Sequence, residues 1–255
     1  QRAGTDTARM DRNLRARSDT LKKAQQAAQS GKTNDALEHL KDHIVEVQEN
    51  SAIVAAERWL SLRPAERERP SIFAAGRRLR SEINAAVQTG LAANGEIGPV
   101  SARLAVLSRV NATREELRYA RNYQPGMVLE VASRQSRHGL GRGSHEVAAV
   151  DTEKGVVTLR DARGHLRRFA PARLSATGSD QALQLFEKKD LDLYTGDAIR
   201  WTTNDHKRGM MNADRPIVTA NDQAGVTVTS SSGMADQLKP TDPMLERIHL
   251  THARH

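Results

Sequence analysis

The second half of the chain contains the same short pattern twice, and this repetition limits the folds that the chain can adopt. Residues 123–131 read YQPGMVLEV and residues 194–201 read YTGDAIRW. In both copies an aromatic residue and a glycine turn open an alternating strand, and a polar, basic loop follows. A further strand then begins with Gly-Val, at 155–160 and at 225–229. Because this order is typical of small five-stranded barrels, it predicts one or two small β-barrels.

The first half has a helical pattern instead. Residues 5–63 are predicted to form helices, with Ser18 near the cap of a helix that ends at about Gln29. The turn after this helix contains Gly31, a frequent stop signal. A short apolar run at 44–47 predicts a strand between two of the helices. This half therefore supplies the α part of a predicted α+β fold.

A strand and a long amphipathic helix are predicted next. Residues 71–75 predict a buried strand, and the following helix extends to about residue 93. One face of this helix is apolar and is expected to pack on a sheet; it carries Leu79, Ile83, Val87 and Leu91. Residues 104–110 predict another strand, and Thr113 with Glu116 forms a capping box before a short helix.

The charge balance favours a polyanionic partner. Lys and Arg number 39 against 31 Asp and Glu, so the net charge is +8. The absence of cysteine excludes disulfides, thiolate catalysis and Cys-based zinc sites, and it suits a cytosolic protein. No apolar run reaches the roughly 18 residues of a membrane span, so no membrane insertion is expected. Since the chain starts at Gln1 rather than Met, we expect an internal fragment or a processed product.

Two motifs suggest chemistry that their context does not support. Residues 30–33 read SGKT, the end of a phosphate-binding loop, but Gln26 occupies the position of the first glycine. We interpret them as a turn between helices. Three histidines near the end (His249, His252 and His255) have no carboxylate at ligand spacing, and we interpret them as an exposed terminus. No catalytic spacing appears, so no catalytic residue and no metal site are predicted.

Basic side chains on glycine-bearing loops form a better candidate site. Guanidinium groups on such loops approach phosphates closely, an aromatic ring stacks on an unpaired base, and a helix N-terminus also favours phosphate. The candidate DNA contacts are Arg77, Arg78, Arg80, Arg134, Arg137, Arg142, Arg200, Trp201, Lys207 and Arg208. Two alternatives stay open. For the loops, the alternative is that their charged side chains are merely solvated. For Trp201, the alternative is a position in the core, because aromatic residues are only 3% of the chain.

The order of these elements resembles the helicase region of the relaxase-helicases that drive plasmid conjugation, the TraI type. The similarity is carried by residues 1–4, 7–11, 62–67, 71–84, 123–126 and 196–205, taken in order. It implies a superfamily 1 helicase with a RecD-like core, in which an SH3-like insertion called 2B interrupts the second motor domain. We therefore expect a helical and partly RecA-like (2A-type) portion at 1–118, an SH3-like 2B-type module at 119–178, and a second β module at 179–255 that returns toward the motor domain.

The resemblance also implies a function. Proteins of this type unwind DNA with ATP and Mg, nick it in a separate relaxase domain, and are recruited to a type IV secretion channel. The ATP-binding loop and the relaxase tyrosines have no counterpart here, so we expect a non-catalytic fragment without a cofactor of its own. The expected partners are single-stranded DNA and a type IV secretion coupling protein. We expect a monomer in the bacterial cytoplasm that acts as a translocation signal, with transfer of the parent protein to the recipient cell.

Two other functions stay open. The chain is a protein-docking module for the secretion machinery with incidental DNA binding, or it is part of an active ATP-dependent helicase. Replacement of the loop arginines separates docking from DNA binding, and measurement of ATP turnover tests the helicase alternative.

Overall fold

The structure contains a helical first part and a second part rich in strands. The computed structural model describes residues 18–67, 71–98, 100–133, 138–175, 182–212 and 214–254. Within these ranges the α-helices are α1 (Asp19–Gln29), α2 (Thr33–Leu40), α3 (Ser51–Leu60) and α4 (Arg77–Ala93). The strands are β1 (Ile72–Phe73), β2 (Val100–Arg109), β3 (Val128–Val131), β4 (Gly143–Asp151), β5 (Val156–Asp161), β6 (Leu166–Phe169), β7 (Leu183–Tyr194), β8 (Ile199–Trp201), β9 (Ile217–Asp222), β10 (Gly225–Thr229), β11 (Ala235–Leu238), β12 (Ile248–Leu250) and β13 (Ala253–Arg254). The predicted α+β class is confirmed.

The chain divides into two compact units, residues 1–51 and 52–255. In the first unit, the hydroxyl of Ser18 caps α1 by accepting a hydrogen bond from the N–H of Leu21 at 3.2 Å. Gly31 has a φ of 75°, a left-handed conformation that glycine adopts without strain, and it turns the chain from α1 into α2. The interpretation of residues 30–33 as a turn between helices is therefore confirmed.

The strand predicted at 44–47 is wrong. These residues lie outside the helices and strands of the first unit, and the side chains of Ile44 and Val45 are exposed. An apolar run stabilises a strand only when a neighbouring strand pairs with it, and no such neighbour is present among the described residues.

The second unit contains the amphipathic helix that the sequence predicts. Ile83, Val87 and Leu91 of α4 are buried, and Leu79 packs beside them, so the apolar face is confirmed. The apolar cluster that contains this face also includes Ala52 and Ala56 of α3, Ile97, and the strand residues Ile72 and Tyr194. Close contact between the two helices is possible because alanine side chains let their backbones approach.

The strand predicted at 71–75 is shorter and less buried than expected. Only Ile72 and Phe73 form β1, and they pair in parallel with β13. The ring of Phe73 is 70% exposed, so this part of the prediction is wrong. The capping box is confirmed: Glu116 accepts from the N–H of Thr113 at 2.7 Å, and Thr113 accepts from the N–H of Glu116 at 3.2 Å. The helix that follows is a single 3₁₀ turn, Glu116–Arg118.

One six-stranded antiparallel sheet dominates the second unit, in the order β2-β7-β3-β4-β5-β6. The long strand β7 joins two modules. Residues 183–186 pair with β3, and residues 186–194 pair with β2 on the other side. The sheet therefore contains strands from all three predicted segments and crosses the predicted boundaries at 118 and 178.

Two apolar cores lie at the two ends of β7. The first is enclosed by β3 to β7 and includes Leu129, Leu159, Phe169 and Leu185; its last strand, β7, lies beyond the predicted boundary at 178. The second gathers residues from β2, β7, β8, the β9–β10–β11 sheet and β12, among them Leu193, Trp201 and Leu238.

A RecA-like portion stays a prediction. In the described part of the chain, no helix has both the length and the apolar composition needed to cross a bilayer.

Candidate functional site

A cleft of about 260 Å³ opens on the second unit, and one face of the six-stranded sheet lines one side of it. Glu130 of β3 lies opposite Gln184 of β7, and Phe186 of β7 lies opposite Arg109 of β2. Residues that face each other across strands, or that lie two apart on one strand, share a face of the sheet. These four residues and Leu107 therefore project into the same space.

The strand pair β8–β12 lines another side. Ile199 and Trp201 alternate with Arg200, and Ile248 and Leu250 alternate with His249. The four apolar residues belong to the second core. Because alternate side chains point to opposite faces, Arg200 and His249 are directed away from this core and into the cleft.

The first turn of α4 supplies the remaining charge. Arg77 and Arg80 line the cleft, and the first turn contains no acidic residue. Cations are unfavourable at this end of a helix because the macrodipole is positive there. Arg77 and Arg80 therefore reduce the stability of the first turn of α4. The same two positive charges are suited to an anion. The rest of the lining consists of Thr202, Thr203, Asn212 and Arg247.

The acidic residue of the lining is already neutralised. Glu130 accepts a hydrogen bond from Nη2 of Arg247, and it also accepts one from Oγ of Ser144 at 3.2 Å. The guanidinium of Arg247 lies over the ring of Phe186, 5.2 Å from its centroid. Arg247 and Glu130 together therefore add no net charge to the cleft.

The other four arginines keep their positive charge. Among the described residues, Arg77, Arg80, Arg109 and Arg200 form no ion pair with a carboxylate. Nη1 of Arg77 donates to the backbone carbonyl of Arg109, which fixes the start of α4 beside the end of β2. Nη1 of Arg80 is buried and has no hydrogen-bond partner in the described part of the chain. A buried donor without an acceptor costs about 1–3 kcal/mol, which an anionic ligand would recover.

These cations disfavour one another's charge. Burial lowers the pKa of Arg77, and the charges of Arg109 and Arg200 lower it further. Burial also lowers the pKa of Arg80, with further contributions from Arg200 and Arg77. An anion placed among them would remove this repulsion, so the cleft is suited to phosphate.

His249 experiences the same field. Burial lowers the pKa of its imidazole; a backbone hydrogen bond with Leu107 opposes this effect, and the charges of Arg200, Arg80 and Arg77 lower the pKa further. The interpretation of the histidines as an exposed terminus is wrong for His249 and His252, because β12 pairs with β8 and the His252 side chain is only 7% exposed. His255 lies outside the described residues. No group of residues able to hold a metal occurs in the described ranges.

The structure brings three of the predicted DNA contacts together: Arg77, Arg80 and Arg200. Arg78 is exposed, does not line the cleft and pairs with Glu82 at 3.3 Å. Arg142 and Lys207 are exposed on loops and do not line the cleft. Arg134 and Arg137 lie outside the described residues, so their role stays a prediction.

Two predicted contacts have structural positions instead. Trp201 is 2% exposed in the second core, so its ring has no free face for a base, and the alternative interpretation as a core residue is confirmed. Arg208 donates from Nε to Asp205 at 2.7 Å and from Nη2 to Asp242 at 3.0 Å. Both carboxylates neutralise the guanidinium of Arg208, so it is not available to phosphate. This differs from the predicted DNA contact.

Among the basic residues of the cleft, sequence reasoning missed Arg109, Arg247 and His249. Each occupies a polar position beside a buried run, such as His249 between Ile248 and Leu250. The alternation of apolar and polar residues along a strand shows that the polar side chain points away from the core. It does not show which other side chains it meets, because this depends on strand pairing.

Residues 106–193 match the family model described as the DNA relaxase TraI 2B/2B-like domain. This stretch is therefore similar to the TraI 2B/2B-like domain. Two curated relatives are similar over a longer stretch. The multifunctional conjugation protein TraI of Escherichia coli is 28% identical over 156 residues, which are 60% of this chain and 8% of that protein. The protein of the same name from Escherichia coli strain K12 is 27% identical over 161 residues, 62% of this chain and 8% of its own length.

The predicted resemblance to TraI-type proteins is thus confirmed, over a stretch that spans 8% of these relatives. The matched stretch includes the first core, the end of β2 from residue 106 to residue 109, and nearly all of β7. It supplies the sheet side of the cleft, namely Leu107, Arg109, Glu130, Gln184 and Phe186. Residues outside it, on α4, β8, β12, the segment after β8 and the turn before β12, supply the other side.

Proposed function

We propose that the second unit binds single-stranded DNA through the arginine cleft, as part of a conjugative DNA-processing protein of the TraI type. The observation that carries this proposal is the convergence of four arginines without a carboxylate partner among the described residues. Polyanion affinity comes mainly from such contacts to phosphate. The two relatives named multifunctional conjugation protein TraI point to the same class of process.

The size of the cleft favours a single strand. The cleft has a volume of only about 260 Å³, whereas a duplex meets a protein over a much wider surface. The side chains of Gln184 and Asn212 and the ring of Phe186 lie beside the arginines and offer polar and apolar contacts to an unpaired nucleotide.

We further propose that the chain is non-catalytic and serves as a translocation signal that a type IV secretion coupling protein recognises. In this account ATP and Mg act elsewhere in the parent protein, in a helicase portion. The isolated chain is therefore expected to show no ATP turnover. Turnover that depends on this chain would support the helicase alternative.

Fluorescence anisotropy with matched single- and double-stranded oligonucleotides of about 16 nucleotides tests the proposal. We expect tighter binding of the single strand and a linear fall of log K with log salt concentration. Absence of DNA binding, together with retained binding to the coupling protein, would favour the docking alternative.

The loop arginines that the sequence predicts as DNA contacts need a separate test. Replacement of Arg134, Arg137 and Arg142 by Ala is expected to weaken oligonucleotide binding and to flatten its salt dependence if these loops also contact the strand. Unaltered affinity would confine DNA binding to the cleft.

A further inference from the structure

We infer that the arginine cleft binds the phosphorylated end of a DNA strand, a phosphate monoester, in preference to an internal phosphodiester. This inference rests on the proposed function and specifies which part of the strand occupies the cleft.

The charge in the cleft exceeds what one internal phosphate would neutralise. Arg77, Arg80, Arg109 and Arg200 have no carboxylate partner in the described ranges, and the Arg247–Glu130 pair adds no net charge. An internal phosphodiester carries one negative charge, whereas a phosphate monoester carries about −1.5 to −2 at pH 7. The monoester therefore offsets more of the repulsion among the four guanidinium groups.

The same four arginines also converge on one cleft instead of being spaced along a groove that a DNA strand could follow. Arg77 and Arg80 come from α4, Arg109 from β2 and Arg200 from β8, yet all four line one cleft. A groove that follows a strand distributes its cations along the backbone, so that successive phosphates each meet one or two of them. Cations from three elements around one small volume are better matched to one highly charged group.

The hydrogen-bonding groups of the lining suit such an anion as well. Nη1 of Arg80 is buried without a partner among the described residues, and Thr202, Thr203, Asn212 and His249 line the same space. A terminal phosphate presents three strong acceptor oxygens, one more than an internal phosphate leaves free. A strand end also enters a small cleft from one direction, while an internal segment must both enter and leave it.

The test compares DNA ligands of one sequence and length by fluorescence anisotropy: a linear strand with a 5′-phosphate, one with a 3′-phosphate, one with hydroxyls at both ends, and a closed circle. The label is placed on an internal base. We expect one or both phosphorylated strands to bind roughly tenfold more tightly than the hydroxyl strand and the circle, as one additional charge-assisted contact predicts. A preference for one phosphorylated end identifies the end that the cleft receives.

Variants separate this inference from the proposed function. Arg80→Ala and Arg200→Ala should abolish the preference for the phosphorylated end, whereas Arg78→Ala, the same charge change outside the cleft, should retain it. Arg80→Lys should restore part of it, and thermal unfolding of each variant verifies the fold. Equal affinity for all four ligands would overturn the inference. If Arg80→Ala and Arg200→Ala then lowered the affinity for all four ligands, the proposed binding of single-stranded DNA would stand. If these variants lowered the affinity for none of the ligands, the proposed function would fail as well.

Discussion

Arg200 and His249 lie directly opposite each other in the antiparallel pair β8–β12. Their apolar neighbours on both strands are buried in the second core, so the two polar side chains share the face that lines the cleft. The position of His249 among cations explains why its pKa is lowered, since burial and the charges of Arg200, Arg80 and Arg77 all favour the neutral imidazole.

DNA binding should therefore depend on the protonation of His249. A bound phosphate offsets the arginine charges, so the pKa of His249 is higher in the complex than in the free protein. By linkage, affinity rises as the pH falls through the pKa of the complex. We expect tighter binding at about pH 5.5 than at about pH 8, with a weaker dependence in His249→Gln. His39→Gln, at an exposed histidine of the first unit, is the control and should behave like the unsubstituted chain.

The same histidine should affect stability in the absence of DNA. Because the folded state lowers the pKa of His249 below its ordinary 6.5, the unfolded chain binds protons more readily. The neutral imidazole of His249 contributes to the free energy of unfolding above the pKa that this group has in the unfolded chain. This contribution is lost as the pH falls from that pKa through the lowered pKa of the folded state. Thermal unfolding should show a smaller loss on acidification in His249→Gln than in the unsubstituted chain. An identical loss would contradict the burial of a neutral imidazole.

Arg208 should stabilise the fold without contributing to DNA affinity. It bridges Asp205 and Asp242, and Asp242 in turn accepts from the N–H of Met244 at 2.9 Å to cap the turn before β12. Arg208→Ala should lower the free energy of unfolding by about 1–2 kcal/mol, since the side chain is partly solvated. Lys207→Ala, at an exposed neighbour, should change it by less than about 0.5 kcal/mol. Chemical denaturation measures both, and a tenfold loss of DNA affinity in Arg208→Ala would contradict this role.

Local features of the fold could be predicted from the sequence because they depend on neighbouring residues. The Ser18 cap, the apolar face of α4 and the Thr113–Glu116 capping box all involve residues within a few turns of one another. The apolar run at 44–47 shows the limit of such reasoning, since it lacks the neighbouring strand that would stabilise it.

The cleft could be predicted only in part. Arg77, Arg80 and Arg200 are recognisable as basic residues near a helix start and a strand. Their convergence with Arg109 and His249 depends on the pairing of β2 with β7 and of β12 with β8, between segments far apart in the chain. Trp201 was ambiguous for the same reason, because only the pairing shows which face of β8 meets the core.

Gly225 tests the packing of the β9–β10–β11 sheet. Its φ is 135°, and a Cβ at this position would lie 1.9 Å from the backbone carbonyl oxygen of Leu238. Because a backbone atom cannot move aside cheaply, Gly225→Ala should destabilise the chain by at least about 2 kcal/mol. Gly141→Ala, where a Cβ meets no atom within 4 Å, should be nearly neutral. Equal unfolding midpoints for the two variants would contradict the described sheet.

The salt dependence of single-stranded DNA binding tests the role of the cleft most directly. Anisotropy titrations over a range of salt concentrations give the slope of log K against log salt for the unsubstituted chain, Arg80→Ala, Arg200→Ala and Arg78→Ala. Each lost phosphate contact should reduce the magnitude of the slope by about 0.7. We predict this reduction, with weaker binding, for Arg80→Ala and Arg200→Ala, and a slope close to that of the unsubstituted chain for Arg78→Ala. Unchanged slopes and affinities in both cleft variants would contradict the assignment of the cleft as the DNA-binding site.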